Sequence, residues 1–157
     1  MVIKNVNQIT KAIEPYIINA LQEVANNVKQ KLIDTVNDRM YEAWTPDRYS
    51  RTLELLNSIS TTNVAKVYGR YIVKIYYDTT KIHPYMVDGQ WNKHADFYGN
   101  DVSEYIPLWI EYGTENNKHY EHDGISAIED VFEWISTEYN RLFASALKTT
   151  GMNSVSK

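Results

Sequence analysis

Ile17, Leu21, Val24, Val28, Leu32, Val36 and Met40 recur at three- and four-residue steps, with Gln22, Glu23, Asn26, Asn27, Lys29, Gln30 and Lys31 between them. Only an α-helix gathers such a set on one side, because 3.6 residues per turn returns every third or fourth side chain to the same face. The spacing predicts a helix from about Tyr16 to Tyr41, roughly 38 Å long at 1.5 Å per residue. The rest of a 157-residue chain must pack along it. Ile9 and Ile13 carry the stripe toward the N-terminus, but Pro15 intervenes. A proline inside a helix removes one hydrogen bond and crowds the carbonyl four residues back. A short helix, a break or kink at Pro15, and then the long helix are therefore expected. The stripe is about one residue wide, narrow for a core helix and suited to packing along a single neighbour. It fits an ordinary amphipathic helix or a self-assembly surface.

Downstream the period changes. Trp44-Thr45-Pro46-Asp47 has the turn chemistry that ends a helix. Tyr49–Ile59 reads as a helical turn leading into a strand. Ser58–Val67 and Tyr71–Asp78 read as two strands joined at Gly69. In the second, Tyr71, Val73, Ile75 and Tyr77 face one way, and Arg70, Ile72, Lys74 and Tyr76 the other. A lone hairpin is marginal in water, so this one must pack on the helices or join other strands. From Thr79 to Ser103 periodicity is lost among the turn signals His83-Pro84, Asp88-Gly89 and Gly99-Asn100, with Trp91, Phe97 and Tyr98 scattered between them. A stretch of this length without structure of its own is functional or held by a partner. Glu115–Gly124 is a second polar loop. A last helix starts near Asp123 or Ser126, with Ser126 and Glu129 as a capping box. Ile128, Val131, Phe132, Ile135, Tyr139, Leu142, Phe143 and Ala146 give it a broad apolar face that fades by Gly151.

Between these loops lies the densest apolar run, Tyr105-Ile-Pro-Leu-Trp-Ile-Glu-Tyr-Gly-Thr114, with the single charge Glu111. Pro107 suits the first turn of a short helix, and Gly113 suits its left-handed end. Ile106, Trp109 and Ile110 are expected to share a face, with Tyr105, Leu108 and Tyr112 spread over the others. One turn that is apolar nearly all round needs cover on more than one side. One cover is this chain's own helices; the other is a second copy or a partner. The fold class expected is α+β: a single domain over 1–151 with a long N-terminal helix, an antiparallel β-hairpin, a short helix and a C-terminal amphipathic helix. The loop 79–103 is extended, and 152–157 is a polar tail.

Chemistry is sparse. The chain has no cysteine, which removes disulfides and thiol catalysis. A net charge of −4 disfavours broad binding to nucleic acid, which needs clustered Lys and Arg. No apolar run approaches the roughly 18 residues of a membrane span, and Met1–Thr10 lacks signal-peptide architecture, so synthesis and folding in a cytoplasm are expected. His119, Glu121, His122 and Asp123, with His83 and His94 as further donors, are the residues that could hold a divalent metal. Their spacing matches no ligand frame, and loop histidines before a helix are ordinarily solvated. Glu129, Asp130, Glu133 and Glu138 read as a solvated helix face. No phosphate loop or nucleophile elbow is present. The expectation is no enzyme, no cofactor and no metal; the alternative is a small metal-dependent hydrolase or nuclease using the His119–Asp123 cluster. Thirteen tyrosines stand out, because tyrosine is enriched at protein–protein interfaces. Trp109, Tyr112, Tyr105, Trp91 and Phe97 are the expected interface residues.

Thr45-Pro-Asp-Arg-Tyr-Ser-Arg-Thr-Leu-Glu-Leu-Leu-Asn-Ser-Ile59 resembles the Pro…Tyr-x-Arg-Thr-x-x-Leu-x-x-Ser-Ile signature of neck proteins in long-tailed bacteriophages, the tail-completion or minor capsid group. In that family a proline-broken N-terminal helix precedes the signature. A β-hairpin, a Trp/Tyr-Ile/Val-Glu-Phe/Tyr-Gly-Thr segment and a C-terminal helix follow. Here Pro15, the hairpin, Trp109–Thr114 and the last helix stand in that order, so the resemblance covers roughly residues 7 to 148. It implies a structural role for Pro46, Tyr49, Arg51, Thr52, Leu53, Ser58, Ile59, Glu111 and Gly113, with Tyr49 and Leu53 packing under the hairpin. It also implies a virion protein of the neck, made in the bacterial host cytoplasm and built into a homo-oligomeric ring. The ring's partners are head-closure or adaptor proteins and tail-terminator or tail-tube proteins, with no membrane. Repulsion lets such an acidic protein line a DNA channel without gripping the DNA.

Overall fold

A computed structural model describes residues 6–43, 53–82, 100–114 and 122–152. The N-terminal stripe forms α1, Val6–Val36, continued by a π-helical turn over Asn37–Glu42. At 1.5 Å per residue α1 is about 46 Å long. Of the break or kink expected at Pro15, the break is absent: one helix continues through that position. Pro15, Ile13 and Tyr16 are all exposed, so water can satisfy the carbonyl that loses its N–H partner.

The last helix, here α4, spans Ala127–Thr149 and lies along α1. Leu32 and Val36 share a core with Ala127 and Val131, while Ala20 and Val24 share one with Ala146. Low numbers on one helix meet high numbers on the other, so the pair is antiparallel. The buried residues of α1 are Ala20, Val24, Ala25, Leu32, Thr35 and Val36, whereas Ile17, Leu21 and Val28 of the expected stripe are half-buried. The contact band is therefore wider than one residue and includes alanines, whose small side chains let the two helix axes approach. Ala20 and Ala146 have 0% and 1% of their surface exposed.

Over the described residues 53–82 the chain makes a short helix, α2 (Glu54–Ser58), and four short strands: β1 (Ile59–Thr61), β2 (Ala65–Val67), β3 (Arg70–Ile72) and β4 (Ile75–Tyr77). β1 pairs antiparallel with β4, and β2 with β3. The expected alternation holds: Tyr71, Val73, Ile75 and Tyr77 are half-buried and Arg70, Ile72, Lys74 and Tyr76 exposed. Tyr68 and Gly69 form the turn with φ of +48° and +77°, the two positive values that a tight two-residue hairpin turn requires. The two expected strands are not continuous, however. Thr62, Asn63 and Val64 stand opposite only Val73 and Lys74, so one extra residue bulges from the first strand. Gln22 of α1 fills the gap: the Val64 N–H donates to its Oε1 at 3.2 Å, and its Nε2 lies 3.5 Å from the Thr62 carbonyl. Farther out, Glu14 Oε1 accepts from Lys66 Nζ at 2.6 Å and Tyr71 Oη at 2.8 Å, which ties the hairpin to the first half of α1.

Leu53 is a second correction. It was expected to pack under the hairpin, but it is 46% exposed at φ +59°, just ahead of α2. Leu55 and Ile59 fill the core instead. Ser58 is fully buried; its Oγ donates to the Leu55 carbonyl at 2.7 Å and its own carbonyl accepts the Asp78 N–H at 2.8 Å.

Replacing Ala146 with Leu forces extra volume into the buried contact with Ala20 and Val24. It should destabilise the protein by about 1–3 kcal/mol in urea unfolding. The Glu14 tie should be pH-dependent. The hydrogen bond from Lys66, and then that from Tyr71, hold the Glu14 carboxyl below its ordinary range. A carboxyl with a depressed folded pKa contributes stability above its ordinary value of about 4.3 and loses it as pH falls through the folded value. Protection factors for the β2–β3 amides should therefore drop as pH falls from about 4.3 through the lowered Glu14 value, and in Glu14→Gln that drop should be absent.

Candidate functional site

α3 spans Ile106–Tyr112, with Pro107 in its first turn as the sequence requires. Gly113 ends it at φ +82° and ψ 175°. That is an extended conformation open essentially to glycine, not the left-handed helical one expected. The chain consequently leaves α3 as a strand: β5 (Gly113–Thr114) pairs antiparallel with β6 (His122–Asp123). The polar loop expected up to Gly124 thus closes as a strand pair. Gly124 lies so close to α3 that a β-carbon there would collide with the Glu111 carbonyl oxygen and come within 2.6 Å of the Tyr112 carbonyl carbon.

Glu111, the single charge of the apolar run, points inward and is 3% exposed. Its Oε1 accepts from the Tyr77 hydroxyl at 2.7 Å, and its Oε2 accepts from the Ile128 N–H at 3.0 Å. Its backbone carbonyl accepts from the Ser126 N–H at 3.1 Å. One residue of α3 therefore joins β4 and the first turn of α4. Burial, then the neighbouring carboxyl, push the Tyr77 phenol far above its ordinary range, so Tyr77 remains a donor. The Ile128 N–H is one of the unpaired donors at a helix start, and Glu111 supplies the cap from outside the helix. The expected Ser126–Glu129 capping box is not formed: Ser126 sits at φ +48° and its side chain makes no cap bond.

With Glu111 and Pro107 inside, the opposite side of α3 faces out. Tyr105, Leu108, Trp109 and Tyr112, at i, i+3, i+4 and i+7, are 50%, 53%, 41% and 79% exposed. Tyr105 and Trp109 stack at 6.1 Å between ring centres. The expectation that Trp109 shares a face with Ile106 and Ile110 is corrected, for those two pack on the core while Trp109 joins the tyrosines outside. α4 likewise leaves Ile128, Phe132 and Tyr139 exposed. The apolar side of α4 is broad, as expected, and α1 covers only part of it.

Of the expected interface residues, Tyr105, Trp109 and Tyr112 are brought together on one face; Trp91 and Phe97 lie outside the described residues. Among the signature residues, Leu53, Ser58, Ile59, Glu111 and Gly113 have the positions given above, and Pro46, Tyr49, Arg51 and Thr52 lie outside. Of the suspected metal donors, His83, His94, His119 and Glu121 lie outside, and Asp123 and the backbone of His122 belong to β6. Among the described residues no group of three or more His, Asp or Glu could hold a metal. An open cleft of about 520 Å³ runs beside Lys31, Asp38, Arg39, Asp130, Glu133 and Trp134. Arg39 is already paired with Asp130 and donates to the Ile125 carbonyl, the lining contains no histidine, and its threonine hydroxyls, Thr35 and Thr137, donate to the Lys31 and Trp134 carbonyls. The residues that sequence reasoning missed are Tyr77 and Leu108. A lone carboxylate in an otherwise apolar run was the available sign that a buried donor awaited it.

Glu111→Ala leaves the Tyr77 hydroxyl and the Ile128 N–H without partners, and it should cost about 3 kcal/mol or more in chemical denaturation. Tyr77→Phe removes one of the two bonds and should cost about 1–2 kcal/mol. Comparable losses in the two variants would show that the α4 cap contributes little.

A model of the YomN family matches residues 5–150, nearly the whole chain. Comparison with curated proteins and with solved structures finds no match. No helix among the described residues is long and apolar enough to cross a membrane.

Proposed function

The chain belongs to the YomN family, a phage-associated group, and we propose that it is a virion structural protein of the head–tail connector that works by oligomeric assembly. The observation that carries this reading is the outward face of α3. Four large apolar side chains at helical spacing stand exposed on a turn whose other side is locked by a buried glutamate. Clustered, rigidly held aromatics are what a protein interface uses to gain energy from few residues. The order of signature, hairpin, Trp-Ile-Glu-Tyr-Gly-Thr and last helix supports a place in the neck of the virion. There the chain forms a homo-oligomeric ring between head-closure or adaptor proteins and tail-terminator or tail-tube proteins, around passing DNA that it does not grip.

Catalysis has no part in this reading. In calorimetric titration of the full chain with zinc or manganese, no stoichiometric heat is expected. Tight binding lost in a His119→Ala/His122→Ala variant would favour the metal-dependent hydrolase instead.

Tyr112→Ala should leave the unfolding midpoint nearly unchanged, because Tyr112 is 79% exposed, and Trp109→Ala, at a residue 41% exposed, should weaken folding less than it weakens assembly. Each should weaken assembly by about 2 kcal/mol, roughly 30-fold, as read by sedimentation velocity of the protein alone and with its phage neck partners. Normal assembly by both variants would remove α3 as the interface.

A further inference from the structure

We propose that two copies of this chain join head to tail, the outer face of the β2–β3 hairpin of one copy seating on the outer stripe of α4 of the next. This rests on the assembly reading above and names the faces that carry it. The cross-strand pairs Ala65–Ile72 and Val67–Arg70 put those four residues on one face of the hairpin, and the alternation continues to Lys74 and Tyr76. All six are exposed. The opposite face, with Lys66 and Tyr71, is taken by Glu14 of α1. The free face is therefore apolar at Val67, Ile72 and Tyr76 and basic at Arg70 and Lys74.

The outer stripe of α4 is its complement. Ile128, Phe132 and Tyr139 lie exposed along it, with Tyr139 stacked on Phe143 at 5.7 Å. Glu129 and Glu133, one turn apart, lie along one side of the stripe, and Glu133 also lines the cleft beside Lys31 and Arg39. Among the described residues neither Glu129 nor Glu133 has an ion-pair partner, and the same holds for Arg70 and Lys74. The neighbouring charges, by contrast, are paired within the subunit: Asp130 with Arg39, Glu138 with Arg141, and Lys66 with Glu14. The unpaired charges on the two apolar faces are thus opposite in sign. Opposite charges around an apolar contact fix its register and exclude like faces, so hairpin does not pair with hairpin, nor α4 with α4. A contact between two different faces of the same chain is heterologous; it continues from copy to copy and closes into a ring when the rotation per step allows.

Charge exchange tests this in the full-length protein, with circular dichroism confirming that each variant is folded. Arg70→Glu/Lys74→Glu alone and Glu129→Lys/Glu133→Lys alone should each weaken self-association at least about tenfold by sedimentation velocity, because each sets like charges face to face. The chain carrying all four changes should recover association, since every junction again joins opposite signs. An equimolar mixture of the two double variants should also assemble. If both double variants associate like the parent while Trp109→Ala does not, the hairpin–α4 contact is wrong and the assembly reading stands. If the parent is monomeric alone at every concentration but binds neck partners, self-pairing is wrong and assembly through α3 remains. If the parent is monomeric alone and with those partners, both fail.

Discussion

The structure depends on how one buried carboxyl is satisfied. A glutamate that is 3% exposed is costly unless each oxygen finds a donor, and Glu111 finds one on a strand and one on a helix start. Both donors come from distant parts of the sequence, so the three segments can be correct only together. Once Tyr77 and the Ile128 N–H are in place, α3 has a fixed inner side. Its outer side is then determined by helical geometry alone. Gly113 and Gly124 serve the same junction: the first turns the chain sharply from helix to strand, and the second lets the returning strand lie against the α3 backbone. The aromatic surface is therefore a consequence of interior hydrogen bonding, and its order comes from the core.

Local rules were enough where a pattern was long or unopposed. The stripe from Ile17 to Met40, the alternation of Tyr71 to Tyr77, the turn at Gly69 and the broad face of α4 all carry their period in the sequence, and all appear in the fold. The misses are long-range. Pro15 has the local signature of a break, but whether a helix tolerates a proline depends on what is packed around it. Ser126 and Glu129 have the spacing of a capping box, yet Glu111, distant in sequence, makes the cap. The bulge at Thr62–Val64 is completed by Gln22, on a helix that no strand pattern mentions. The outer face of α3 is unmarked in the sequence because every position but one is apolar. With no polar residues to mark the outside, the buried carboxylate alone indicates which side is in.

The distribution of apolar side chains runs against the usual order. Two of the most completely buried residues between the helices are alanines, Ala20 and Ala146, while tryptophan, tyrosine, phenylalanine, leucine and isoleucine side chains on α3 and α4 stand 40–79% exposed. Small residues inside give close packing and a precise relation between α1 and α4, but they bury little area per residue. The large residues outside retain most of the hydrophobic driving force that the chain has not used in folding. A set of apolar side chains this large, on elements this well fixed, is far more useful between molecules than within one.

That division also bears on how tightly such surfaces can bind. Association loses free energy to the ordering of side chains and loops at the contact, about 0.5–1.5 kcal/mol for each flexible side chain immobilised. Tyr105 and Trp109 are already stacked, Tyr139 and Phe143 likewise, and the hairpin is held to α1 at both Gln22 and Glu14. Much of the ordering cost has been met during folding. Weak interior ties at Gln22 and Glu14 thus have an effect beyond stability. They keep a hairpin, marginal by itself in water, in one orientation along α1, so that its basic outer face is one fixed surface rather than an ensemble.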